Sequence, residues 1–284
     1  MDDRHARRIE NGLGLVEPRM RDAAFAATMA ATDAMFVRPT NPVSHRLARM
    51  AFIMACVAAL IIASAGPLRR YADLDLAATF AIFRYGFYVA VAGIALGLAT
   101  VVPTRPGDRR RGFVAALLAI VVGLAAAYMP LTWFLRAQHL PVLNDITTDI
   151  ADPPLLVATL QLRRGAANPP AYPGQAAGAA QRAAYPDITS VVLPSNPADA
   201  FKKVDGVAMA MGWDVVARAP AEGRIEAVAT SDWFGFRDDI VVRIRPDGTG
   251  SRIDIRSKSR DGQSDLGVNA DRIREFTARL KAGG

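Results

Sequence analysis

Three apolar runs in the first half of the chain limit what it can fold into. Residues 47–65 read LARMAFIMACVAALIIASA, and residues 80–102 and 113–135 are comparably apolar. Each approaches the ~20 residues that an α-helix needs to cross the hydrocarbon of a bilayer. Their charges lie near the ends. Arg49 opens the first run and Arg84 sits near one end of the second, where a long side chain can snorkel to the headgroups. Trp133 marks the exit of the third as an interfacial anchor, and Pro130 falls in its last turns. These runs read as three transmembrane helices rather than a buried soluble bundle. The first starts too far along the chain, with no short apolar region before it, to read as a cleaved secretory signal.

The basic residues beside the runs give an orientation. Arg38, Arg46 and Arg49 precede the first run, and Arg105, Arg109, Arg110 and Arg111 lie between the second and third. The opposite side has Arg69, Arg70 and Arg136. The positive-inside rule then expects a multi-pass inner-membrane protein with a cytoplasmic N-terminus and a periplasmic C-terminal domain. The net charge of +7 is carried by the N-terminal part; from residue 185 onward, 15 basic residues face 15 acidic ones. A nucleic-acid binder would concentrate positive charge on its folded domain, so no nucleic-acid partner is expected. Cys56 is the single cysteine, and His5, His45 and His139 all precede the C-terminal region. Neither a disulfide framework, a thiolate metal site nor a Ser-His-Asp triad can be built there from this chain. No metal ligand set, cofactor or glycine-rich nucleotide loop is expected.

The expected division is a tail over residues 1–46, three membrane helices over 47–135, a connector over 136–184 and an α+β domain over 185–284. In the tail, Phe25, Met29 and Phe36 would share a face of a short interfacial helix, against the alternative of a loosely ordered segment. The connector contains Asp145, Asp149 and Asp152 at spacings of four and three. They read as a solvated loop ending at Pro153-Pro154, with a cation site at the membrane surface as the alternative. Residues 165–184, rich in Ala, Gly and Pro, read as extended chain.

The C-terminal domain is expected to combine a mainly antiparallel sheet with two helices. Asn196 caps a helix that Pro197 begins, and Phe201, Val204, Ala208 and Met211 fall on its inner face. Strands follow over residues 213–218 and 224–230. Residues 236–245 and 251–258 form a hairpin about Pro246-Asp247-Gly248-Thr249. Alternation places Phe236, Asp238, Ile240, Val242 and Ile244 on the core face, with Ile253, Ile255 and Ser257 opposite. The expected register pairs Val242 with Ile253, Ile240 with Ile255 and Asp238 with Ser257. On the other face, Asp239 opposes Arg256 and Asp254 lies diagonal to Arg243, as a solvated charge ladder contributing roughly 0.2–1 kcal/mol per pair. Asp238 is a core-facing carboxylate that needs a partner, with Ser257 a candidate. Asn269 is expected to cap a last helix whose buried stripe is Ile273, Phe276 and Leu280.

The segments WFGFRDDIVVRI and SRIDIRSKSRDGQSDLGVNADRI resemble the signature of the domain-of-unknown-function 1499 family, and NDITTDIADPP and YPDI resemble its membrane-linked members. The resemblance covers roughly residues 141–282. It implies an α+β domain and no particular reaction. The positions that carry it include Asp238, Asp239, Arg256, Ser257, Ser259, Arg260, Asp265 and Asn269, which are the candidate binding or structural residues; no residue is assigned a catalytic role. The favoured reading is a membrane-anchored, non-catalytic binding or scaffolding module of the cell envelope. Its partners would be the bilayer and either an anionic lipid headgroup, met by Arg256, Lys258 and Arg260, or another envelope protein. The alternative is a carboxylate-dependent, hydrolase-like enzyme, with or without a divalent cation, using Asp238, Asp239 and Asp265 with Arg260 as an anion clamp. Transport is disfavoured, because the runs have no ionisable residue near their middles.

Overall fold

The computed structural model describes residues 25–29, 42–105 and 111–282. Residues 25–29 are helical and exposed. The rest of the tail before residue 42, Phe36 and Arg38 included, lies outside the described residues, as do Arg109 and Arg110.

The apolar runs form three helices, α1 (Pro42–Tyr71), α2 (Leu76–Val101) and α3 (Arg111–His139), each long and apolar enough to cross a membrane. They extend past the runs because Arg69, Arg70, Arg136 and His139 continue the helical pattern into polar chain. The helix halves holding residues 42–54, 92–101 and 111–121 form one compact unit, where Ala48, Ala115 and Ala116 pack together. The other helix halves form a second compact unit with everything from residue 122 onward.

The C-terminal domain is α+β, as expected. Its strands are β1 (Asp145–Thr147), β2 (Val191–Leu193), β3 (Asp214–Ala219), β4 (Arg224–Thr230), β5 (Arg237–Asp247) and β6 (Gly250–Ser259). The antiparallel order is β1-β6-β5-β4-β3, and β2 pairs with β6 beside β1. The helices after the membrane region are α4 (Gln175–Ala184), α5 (Pro197–Ala210) and α6 (Val268–Ala282). Pro197 begins α5, and the Asn196 side chain accepts the Asp199 N–H at 3.0 Å. Helices α5 and α6 bring Val204, Ala208, Ile273, Phe276 and Leu280 against Ile225, Ile240, Val242, Ile253 and Ile255 of the sheet. Trp213 stacks on Phe276 at 5.5 Å within this core.

The hairpin faces are as expected, but the register is displaced by two residues. Val242 pairs with Ile255, Ile240 with Ser257, Asp238 with Ser259 and Ile244 with Ile253. Asp247 pairs with Gly250, so Gly248-Thr249 alone makes the turn, with Gly248 at φ +57°. Pro246 and Asp247 thus belong to the strand. A two-residue displacement keeps every side chain on its face, so alternation alone could not separate the registers.

Residues 145–184 are not a plain connector. Thr147, Ile146 and Asp145 pair with Arg256, Ser257 and Lys258 of β6. Beyond β1, Gln181 of α4 accepts the Thr147 N–H at 3.0 Å and donates to the Thr147 carbonyl at 2.6 Å. Its amide supplies what another strand would, closing that stretch of sheet edge. Residues 154–170, with a 3-10 turn at Thr159–Arg163, cover the sheet face opposite α5 and α6.

Candidate functional site

Alternation along β4, β5 and β6 sends two polar rows in opposite directions, and the two meet different fates. The first row was expected to be a solvated ladder. Instead it is buried: Asp239, Asp254, Arg256 and Lys258 are at most 1 % exposed, and so is Glu226. The displaced register sets Asp239 opposite Lys258 and Arg243 opposite Asp254. Asp145 accepts Arg256 Nε and Nη2 at 2.8 Å each and Lys258 Nζ at 2.8 Å. Asp239 takes Arg260 in a fork and also contacts Arg163. Arg256 further donates to the Pro154 and Pro170 carbonyls, with its guanidinium 5.6 Å from the Tyr172 ring centroid. Glu226 accepts the N–H groups of Val157, Ala158 and Thr159 at 2.9–3.0 Å. Burial pushes the Glu226 carboxyl up, but these donors outweigh it and hold it below its usual range. Burial lowers Lys258 despite Asp145 beside it.

This layer corrects three expectations. Asp145 and Asp149 are buried and ion-paired rather than part of a solvated loop or a cation site, with Lys258 on Asp145 and Arg243 and Arg252 on Asp149; Asp152 stays exposed to solvent, as expected, but pairs with Arg243 and Arg245. Among the described residues, no group of three or more His, Cys, Asp or Glu is placed to hold a metal ion. Arg256, Lys258 and Arg260 are buried among carboxylates and carbonyls and present no basic surface to an anion. Asp239 and Arg260 bind each other, away from Asp238 and Asp265. A buried pair of this kind tolerates the loss of one partner poorly, because the other charge stays desolvated.

The second row points to the α6 side and carries the candidate site. Asp238 was expected to lean on Ser257. Arg272, one turn into α6, holds it instead, with Nη2 at 2.7 Å from Oδ2. Arg272 also donates to Ser257 Oγ at 2.9 Å and to Asn269. Ser257 donates to Asn269 Oδ1 at 2.6 Å, and Asn269 donates to Ser259 Oγ at 3.0 Å. Asn269 is fully buried in the first turn of α6 and caps nothing; Asp265 does that, accepting Gly267 N–H at 2.8 Å and Asn269 N–H at 2.9 Å. The chain reaches this geometry through Leu266 at φ +53° and Gly267 at φ +85°, two successive left-handed residues. Burial, with the Asp238 charge nearby, pushes the Asp265 carboxyl above its usual range although both backbone donors pull it down.

Asp238, Arg272, Ser259 and Asp265 open onto a cavity of about 450 Å³, and residues 261–266 form much of its rim. The rest of its lining is mostly apolar and comes from helix ends: Leu76 and Phe80 of α2 and Trp133 of α3, with Arg136 of α3 beside them. Phe234 and Phe236 complete that wall. Phe234 lies 5.2 Å from Trp133 and stacks on Phe236 at 5.3 Å, and Phe83 is 5.5 Å from Trp133. Trp233 packs onto Gly66 of α1, where any side chain would collide with the indole. Phe236, expected in the sheet core, belongs to this aromatic cluster because β5 begins after it. Arg69 at the end of α1 reaches Asp261 at 3.4 Å. Sequence reasoning missed the roles of Arg272, Arg163, Glu226 and Gln181. Only the side-chain spacing of Asn269 and Arg272, three apart on one helix face, hinted at the first.

No curated protein matches the chain. The family model described as "Protein of unknown function (DUF1499)" matches residues 145–280 and so begins at β1. The match thus covers the C-terminal region of the chain, which follows three apolar helices.

Proposed function

We propose that this protein is a membrane-anchored, non-catalytic binding module of the cell envelope, whose cavity receives the polar end of an amphiphilic molecule. One observation carries the reading: a single cavity joins aromatic side chains at the helix ends to the Asp238–Arg272 pair and Asp265. Apolar pockets with a few convergent polar groups are typical of small-molecule sites. Residues at the ends of bilayer-length helices would meet such a molecule at headgroup level. The flanking arginines favour an inner-membrane location with a cytoplasmic N-terminus and a periplasmic C-terminal domain, and we propose that the folded domain begins near Asp145 rather than Tyr185. Scaffolding of another envelope protein would use a different surface. Alkaline phosphatase fused after Ala151 tests the topology, with activity expected. A photo-crosslinking residue at Gln263, on the rim, tests the binding: a lipid-sized adduct in native membranes is expected, and recovery of no amphiphile would overturn the reading.

A second reading, a carboxylate-dependent enzyme at the membrane surface, draws on the presence of Asp238 and Asp265 in one cavity. A carboxyl whose pKa burial raises is a candidate general acid. Turnover of a crosslinked or co-purified ligand that stops in Asp265→Asn would favour it.

A further inference from the structure

The charges around the cavity narrow the ligand, granted the binding reading above. Asp238 is matched by Arg272, and Asp261 by Arg69. Two charges are left over. Among the described residues, Asp265 has no cation in ion-pair contact; its carboxylate takes the two backbone N–H groups of the α6 start and lies beside the neutral Asn269 side chain. Arg136, in the last turn of α3, likewise has no carboxylate in ion-pair contact. It lines this cavity and also a neighbouring one of about 380 Å³ that His139 and Arg274 share. One uncompensated acid thus stands on the domain wall and one uncompensated base on the helix wall. A purely anionic amphiphile would satisfy Arg136 and leave Asp265 facing no cation. A purely cationic one would do the reverse. A zwitterion satisfies both, and charge-assisted hydrogen bonds in a partly desolvated site make the difference large.

We propose that the cavity binds a zwitterionic phospholipid, with its primary ammonium on Asp265, its phosphate on Arg136 and its acyl chains along Phe80, Trp133 and Phe234. Asp238 and Arg272 neutralise each other beside the site and leave the ammonium to Asp265. The aromatic wall distinguishes a lipid from the free headgroup, because soluble phosphoethanolamine offers the same charges and nothing for Phe80 or Trp133 to cover.

The test uses the full chain in maltoside micelles, titrated with dihexanoyl phosphatidylethanolamine, dihexanoyl phosphatidylglycerol or phosphoethanolamine. Tryptophan fluorescence reports binding, since Trp133 lines the cavity. The ethanolamine lipid should saturate at about tenfold lower concentration than the glycerol lipid, and phosphoethanolamine should bind more weakly than either. Asp265→Asn should erase the preference for the ethanolamine lipid, and Arg136→Gln should weaken both lipids. Asp265→Ser keeps a side-chain acceptor for the α6 start and guards against a folding defect in the first variant. Equal binding of the two lipids, or an ethanolamine preference that survives both Asp265 variants, overturns the zwitterion assignment and leaves an amphiphile site standing. Phosphoethanolamine binding as tightly as the lipid overturns the acyl-chain placement. No saturable response to any of the three sinks this proposal and the binding reading together.

Discussion

Asp145 and Arg256 meet through two parallel hydrogen bonds of 2.8 Å, with both side chains 1 % exposed, and they join the first strand of the domain to its last. The same carboxylate holds Lys258. Removing it leaves two cations desolvated without a counter-charge. Asp145→Ala should therefore lower stability by about 3–5 kcal/mol. Chemical denaturation followed through Trp213 in the α5–α6 core checks this, and a loss below ~1 kcal/mol would contradict the placement.

Asp238 and Arg272 tie β5 to α6. Asp238→Ala should destabilise the domain by about 3 kcal/mol, because Arg272 would be left against Ser257 and Asn269 with its charge unmatched. A double-mutant cycle with Arg272→Ala should return a coupling of about 1–3 kcal/mol. Unchanged thermal stability of Asp238→Ala would show that the side chain does not face the core.

Gly66 packs beneath Trp233. Gly66→Ala should displace the indole and loosen its packing on Phe234, 5.0 Å away, at a cost of about 1–3 kcal/mol. A red-shifted tryptophan emission is the expected readout, with Trp233→Leu as the control that isolates the signal.

Two carboxyls respond to acid in opposite directions. Glu226 has a lowered pKa, so its contribution is complete above the ordinary glutamate value of 4.5 and is lost as pH falls through the folded-state value. Asp265 has a raised pKa, so its ionisation opposes folding above the folded-state value, and protonation removes that penalty as pH falls. Acid titration of unfolding free energy should show a steeper loss in the wild type than in Glu226→Gln. Affinity for a cationic headgroup should fall as pH drops through the raised folded-state value of Asp265.

The parts legible in sequence were those set by local periodicity. Three apolar runs fixed the helices, Asn196-Pro197 fixed the start of α5, and alternation fixed which way Asp238 points. What could not be read depends on distant chain. Ile240 pairs with Ser257 rather than Ile255, and both registers keep the apolar faces together. A charged row looks solvated until something covers it, and nothing in IDIRSKS announces that Pro154, Leu162 and Pro170 will turn their carbonyls onto Arg256 and Arg260. Asn269 has the chemistry of a cap, but Asp265 four residues earlier takes the cap, and Asn269 goes inward to Ser257 and Ser259.

The segment over residues 154–170 lies in the chain between the apolar helices and the main sheet strands, and it covers the ionic layer. Anchor line and lid are therefore the same piece of polypeptide. A fragment beginning at Tyr185 would carry every large strand, yet Arg256, Lys258 and Glu226 would lie open to water with their counterparts cut away. A cut between Asp145 and Thr159 would part this lid from β1, so a globule released from its leash keeps its ionic layer covered only if it leaves with residues 145–170.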